Sequence, residues 1–418
     1  MKRALLYALL ITFVAVTVKA DAGAVREMLL VGNSVSGTVS LIDASSLRNL
    51  GSINVIPDLK ERLREIHANP WRCFMYGIIK FGQKVKKFEP AGGDRFVDDV
   101  FASPDGSRLY VSRANLGDVA AFDLTTPGFP MVWRTVVAGY KADHAAMSPD
   151  GSRIVVSATF SGKAQVLETA HGQIVGSFKT GYFPHQNDFS HDGRHIYNSS
   201  LGAIFLPAEL DWLKGRRLLE VVDAKTLKIL KKYSFKKGVR PNVISEDETT
   251  FYTQLSYYNG VVKYDLRTGK VVASAKQPLS EFAKAVYSHK NDYPHNSAHH
   301  GLALSGDGAQ LCDAGTIDNT VSIVSTSDMK VQATIEVGNI PYWATTSHDG
   351  RYCYVSLSGD GTVSVIDYNT RAEVTRVSVD RFPQRSRLAR LAENTISLLG
   401  LSRYQTAWVT PRAVNDEL

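Results

Sequence analysis

Six places in the 418-residue chain set histidine, carboxylate, amide or aromatic side chains side by side: Asp98 and Asp99, Asp143 and His144, His185 and Gln186, Arg240 with Asn242, His299 and His300, and Tyr342 with Trp343. Neutral imidazole and carboxylate are the donors that a borderline divalent metal such as copper or zinc takes. His144, His185, His299 and His300 would supply nitrogen ligands, with Asp98 or Asp143 as a further donor or as the hydrogen-bond partner of one. Without a metal, Asp98 or Asp143 can serve as a carboxylate base in hydrolysis. Asp99, Gln186, Arg240, Asn242, Tyr342 and Trp343 offer charge, amides and rings to hold a small molecule. His289 and His295 precede this set closely and could reach over the same site. No Gly-x-Ser-x-Gly, Walker loop or His-Glu-x-x-His occurs, so nothing points to the chemistries those motifs serve.

Side chains so distant meet only if a repeat gathers them. A Ser-x-Asp-Gly turn recurs at Ser103, Ser148, Ser190, Ser305 and Ser347, with a degenerate copy, Ser245-Glu246-Asp247-Glu248. The anchors are 45, 42, 55, 60 and 42 residues apart, the long intervals holding insertions near 202–216 and 279–298. After each anchor come a strand and then a second strand ending in an acidic turn, as in Ala121-Phe122-Asp123 and Val365-Ile366-Asp367. Asp-Gly supplies the positive φ of a tight turn, and alternating β-branched and aromatic residues make half-buried pleated surfaces. One such sheet cannot bury both faces alone, but a ring of them can. Six units begin near 96, 140, 182, 239, 298 and 340, and a partial seventh, Leu30 to Asp43, lacks its innermost strand. The segment after Val379 would supply it and close the ring. The fold class is therefore all-β, a seven-bladed propeller of four-stranded antiparallel blades over residues 28–384, and the paired residues above lead into the innermost strands at one channel mouth.

Leu30-Val31-Gly32-Asn33, Tyr354-Val355-Ser356-Leu357, the Ser-Pro-Asp-Gly turns and the Gly-x-x-Pro approaches at Gly181 and Gly338 resemble the YVTN β-propeller repeat. The resemblance implies an extracytoplasmic propeller and says little of activity, because the architecture serves lactonases, oxidoreductases and binding proteins alike. Histidines at a channel mouth are similar to those of the copper-binding propeller of nitrous oxide reductase, and a haem-binding relative serves nitrite reductase. This chain has fewer mouth histidines than the first and no Cys-x-x-Cys-His for a c-type haem.

The remaining segments bear on address and partners. Lys2 and Arg3, the apolar run Ala4 to Val18 and the small residues near Ala20 and Ala22 read as a signal peptide over residues 1–22. No later stretch is apolar enough to span a bilayer. A periplasmic or secreted location follows, or the ER lumen in a eukaryote, since the chain ends Asn415-Asp416-Glu417-Leu418. The formal charge of +7 is modest and concentrated in the insertion 58–95 and the tail, which suits an anionic surface better than nucleic acid. Residues 385–401 carry leucines at helical spacing, giving a C-terminal amphipathic helix and tail over 385–418. The three cysteines are expected as thiols, because Cys312 and Cys353 fall on opposite strand faces, with Cys73 the most reactive. The leading functional reading is an exported propeller that binds a small molecule or protein at its channel mouth. A copper or zinc enzyme using the histidines, and a metal-free lactonase-like hydrolase, are the alternatives.

Overall fold

The computed structural model describes residues 25–85 and 94–406; the expected signal peptide and the terminal Asn-Asp-Glu-Leu lie outside them. Seven four-stranded antiparallel sheets form the ring. The innermost strands are Asp99–Ala102, Ala142–Met147, Pro184–Phe189, Val239–Ile244, Leu302–Leu304, Pro341–Thr346 and Pro383–Ala392. The last of these pairs with Val25–Asn33, so the first blade is built from both ends of the chain, as the missing strand required. The leucines expected to form a helix over 385–401 divide accordingly. Leu388 and Leu391 lie in this strand, and helix begins only at Glu393, in Glu393–Thr406. Edge pairing with Val25–Asn33 overrides local helical spacing, because an unpaired sheet edge leaves its backbone groups without partners.

The turn motif shows why the repeat is legible. In Ser103-Pro104-Asp105-Gly106 the Ser103 hydroxyl donates to Asp105 and accepts from the Arg108 amide, while the Asp105 carboxylate accepts from the Ser107 amide at 3.0 Å. Gly106 takes φ +70°. The degenerate copy forces Glu248 to φ +55°, the left-handed region that favours glycine.

Strand direction sorts the loops into two faces. Each innermost strand starts at the channel mouth, so blade-to-blade connections and second-to-third-strand connections open there. The Ser-x-Asp turns and the acidic third-to-fourth-strand turns lie on the opposite face. All three long insertions are therefore on the mouth face. The first forms α1 (Leu59–Ala68) and α2 (Pro70–Val85). Asn69 caps α2 by accepting from the Arg72 amide at 3.1 Å, and Pro70 occupies its first turn. Buried Arg113 holds Asp58 and Asp118, and Arg134 bridges Asp58 and Glu65. Ile66, Met75 and Tyr76 pack with Leu116 and Tyr140. These contacts fasten the helical pair above the ring.

Cys312 and Cys353 form a disulfide with a Cα separation of 6.5 Å, contrary to the expectation of free thiols; Cys73 is free and exposed. Opposite strand faces argue against a bridge only within one sheet. Between neighbouring blades, the front of one sheet packs on the back of the next, so opposite faces of equivalent strands are the ones that meet. Cys312 lies in Gln310–Gly315 of the sixth blade and Cys353 in Tyr352–Leu357 of the seventh. The bridge spans 41 residues, for which loop-closure entropy gives about 3–4 kcal/mol of stabilisation. The Cys312→Ala, Cys353→Ala variant is expected to lose an amount of that order in guanidinium unfolding. An unchanged midpoint would show that the bridge contributes nothing to stability.

Candidate metal and ligand site at the channel mouth

A β-bulge opens several innermost strands at the mouth. Pairing jumps from Ala142 to Ala145, from Pro184 to Asn187, from Val239 to Asn242 and from Pro341 to Trp343. The residues skipped are Asp143 and His144, His185 and Gln186, Arg240 and Pro241, and Tyr342. A bulge breaks the two-residue alternation and re-aims the side chains it frees. The site is thus made largely by these irregular parts, with Asp98 and His300 added from the segments just before their own innermost strands, and is held by the regular pairing beneath.

His144, His185 and His300 come together, each offering a ring nitrogen, with the three nitrogens within 4.8 Å of one another. His144 Nε2 is 2.8 Å from His185 Nε2. Asp98 Oδ1 lies 2.5 Å from His144 Nδ1, and the Tyr342 carbonyl accepts from His300 Nδ1 at 2.9 Å while the Tyr342 ring stacks on His300. His185 Nδ1 is buried with no hydrogen-bond partner among the described residues. Burial, reinforced by Arg385 for His144, by His144 and His300 for His185, and by Arg240 for His300, pushes all three imidazoles well below their ordinary pKa. They are neutral at pH 7, as metal ligands must be. A second cluster, Asp98, Asp143 and His144, adjoins the first. Burial raises the Asp98 carboxyl. Lys141 Nζ is 3.1 Å from Asp143; burial opposes its charge, but Asp143 and Asp98 outweigh it and hold the ammonium above its ordinary value.

Above the histidines lies a cavity of about 470 Å³, roofed by Met75, Ile78 and Ile79 of α2 and walled by Phe160, Phe183 and Phe205. Its polar floor holds Asp98, Asp143, Lys141, Arg95, Arg240 and the three histidines. Arg240 is fully buried and pushed down to about 10 by that burial. It donates to Ser256 and to the His295 carbonyl, while His295 Nδ1 is 2.8 Å from the Tyr342 hydroxyl.

Other expected residues have different places. His299 is turned between blades, its nitrogens 2.9 Å from Asp313 and 2.8 Å from Asn259, and so stands outside the histidine cluster. His289, exposed, pairs with Glu209 at 3.3 Å. Asp99 is deep in the channel, bound by Arg387 at 2.9 Å and near Arg385 at 3.2 Å; burial alone would raise its pKa, but these two guanidinium groups bring it below the usual value. Trp343 lies under Arg385, 3.7 Å from ring centroid to guanidinium. Gln186 and Asn242 bond to each other's backbone or side chain across blades. These four brace the channel below the cavity. Sequence reasoning missed Lys141, Arg95, Arg385, Arg387 and the apolar roof. Phe382-Pro383 repeats the approach seen at Phe183-Pro184 and Ile340-Pro341, a signal that places Arg385 in the channel.

Fold and site together define a seven-bladed β-propeller with a histidine cluster at a roofed channel mouth. Among solved structures the chain is similar to Kuenenia stuttgartiensis hydrazine synthase, with a TM-score of 0.56 and 18% identity over 71% of this chain and 96% of that one. It is also similar to dihydro-heme d1 dehydrogenase NirN in complex with DHE, with a TM-score of 0.53 and 14% identity over 87% of this chain and 65% of that one. At these identities the likeness is one of fold. No family model and no curated protein sequence matches the chain.

Lowered imidazole pKa values carry a sign. The folded protein binds fewer protons than the unfolded chain below about pH 6.5, so the histidines cost stability as pH falls. The metal-free protein should lose stability between pH 6.5 and 5 relative to a His144→Gln, His185→Gln, His300→Gln variant. The expected gap grows by at least about 1.4 kcal/mol per pH unit in urea unfolding; parallel curves would refute the buried neutral state.

Proposed function

We propose that this chain is an exported metalloprotein that holds one divalent ion, copper or zinc, on His144, His185 and His300 and binds a small molecule in the chamber above it. The observation that carries the reading is the convergence of three buried, neutral imidazoles under a cavity. Three nitrogen ligands with an open side toward a chamber is the donor set of a working rather than a purely structural metal site. Each ligand has a group that orients it or leaves it free. Asp98 lies 2.5 Å from Nδ1 of His144 and the Tyr342 carbonyl accepts from Nδ1 of His300, leaving Nε2 of each for the cluster, while His185 Nδ1 has no hydrogen-bond partner among the described residues. A bound ion would polarise a ligand or activate water. Arg240 and Lys141 favour an acidic group on that ligand, and the α2 roof and phenylalanine walls take its apolar part. The disulfide and the basic-apolar N-terminal run support an extracytoplasmic address, and the repeat motifs support the YVTN-type assignment.

A second reading has one observation behind it. Asp98 Oδ1 lies 2.5 Å from His144 Nδ1, and His144 Nε2 is 2.8 Å from His185 Nε2, which sets a carboxylate beside an imidazole pair where a metal-free base for lactone hydrolysis would need it. Elemental analysis by plasma mass spectrometry separates the two. The wild-type protein should carry close to one equivalent of copper or zinc, His144→Ala, His185→Ala less than about 0.1 equivalent, and His299→Gln as much as wild type. No metal in the wild type after reconstitution would sink the first reading; hydrolysis of a lactone panel that persists in chelator would then support the second.

A further inference from the structure

The three mouth-face insertions share a property that the cavity does not explain. α2 turns Met75, Tyr76 and Ile79 inward, yet along its outer side Trp71, Phe74, Ile78 and Phe81 are 57%, 58%, 45% and 69% exposed. Their spacing of three and four residues puts them on one stripe. On the second insertion Phe205 and Trp212 are 68% and 72% exposed, and on the third Phe282 and Val286 are 46% and 50% exposed. Ile78 and Phe205 also line the cavity, so two of these exposed side chains border the chamber.

Basic residues are prominent on this face, beside the exposed acids Glu61, Glu281, Glu336 and Asp360. Lys163, Lys179, Arg216, Lys236 and Lys276 are exposed at strand ends or loops on this same face. The acidic residues of the second insertion are engaged: Glu209 by His289, and Asp211 by Lys214, Arg217 and Lys237. The repeated aspartates, Asp105, Asp150, Asp192, Asp247, Asp307 and Asp349, are all in turns on the opposite face. So is the start of the C-terminal helix, where Thr395 donates to the Leu124 carbonyl at 3.1 Å.

We infer that the mouth face docks on an anionic lipid surface, with the aromatic side chains of the three insertions set among the headgroups. Tryptophan and phenylalanine interleaved with lysine and arginine is the composition of an interfacial surface. The positive rim complements the negative leaflet. A protein partner would also cover apolar surface, but the exposed aromatics are divided among three insertions rather than gathered on one element. Docking this way presents the chamber entrance to the bilayer. The basic insertion and the C-terminal helix cannot both face that plane.

The test uses the chain from residue 23 onward, since the ring closes within residues 25–392, so that the apolar run at the N-terminus adds nothing. It is floated with vesicles of phosphatidylglycerol and phosphatidylcholine, or of phosphatidylcholine alone. Binding to the anionic vesicles is expected, weakened at least tenfold by Trp71→Ser, Phe74→Ser, Phe81→Ser and by 0.5 M salt. Tryptophan emission should shift to the blue on binding and be quenched by brominated lipid. Unchanged metal content and unfolding midpoint in the triple variant separate this result from misfolding and from failure of the metal site. Equal flotation of variant and wild type, or no flotation of the wild type, would overturn the inference; the latter would hand the patch to a protein partner.

Discussion

Val31 pairs with Ser386, and the register around it joins the first strand of the ring to the last. On that one antiparallel seam the other features depend. Each blade is a sheet with two apolar faces, and no blade can keep both dry unless it has neighbours on both sides. Closing the ring gives every blade two neighbours, and it removes the sheet edge that the first blade would otherwise expose. The closing strand also brings Arg385 and Arg387 into the channel, where they neutralise Asp99. The fold and its electrostatic core are therefore completed by the same residues.

Regularity and irregularity divide the labour. Below the mouth, the innermost strands are braced by Asp99, Asn242 and Trp343 and by the bulge residue Gln186, which bonds across to Asn242. At the mouth, the bulges release one or two residues per blade. Those residues include Asp143, His144 and His185, while Asp98 and His300 come from the segments leading into their own innermost strands. A chemically demanding cluster of buried neutral imidazoles is held in place by the paired strands and the cross-blade hydrogen bonds beneath it.

The sequence made the ring legible because its turns repeat. The Ser-x-Asp-Gly hydrogen-bond pattern recurs in place at six blades, and the need for a closing strand after Val379 follows from counting strands. The mouth was legible only as a level. Which of His299 and His300 faces the channel is not set by strand alternation, because both precede Leu302, the first paired residue of that strand. The disulfide was misjudged for a related reason: reading strand faces within one sheet ignores that the blades stack face to back. The apolar roof was hidden because α2 has two apolar stripes, and spacing does not say which one packs. Arg385 and Arg387 were overlooked where leucine spacing suggested a helix.

The seam has a consequence for biosynthesis. Residues 25–54 supply three strands of the first blade, but their fourth strand is made some 330 residues later. Throughout synthesis, and through any passage across a membrane, a nascent apolar edge waits unmatched while six other blades are built. Such an edge is a template for pairing with another copy. A chain of this design needs either a holding chaperone for its leading segment or slow docking of that segment until the end arrives, and mutations that delay closure should show themselves first as lost yield rather than as lost activity.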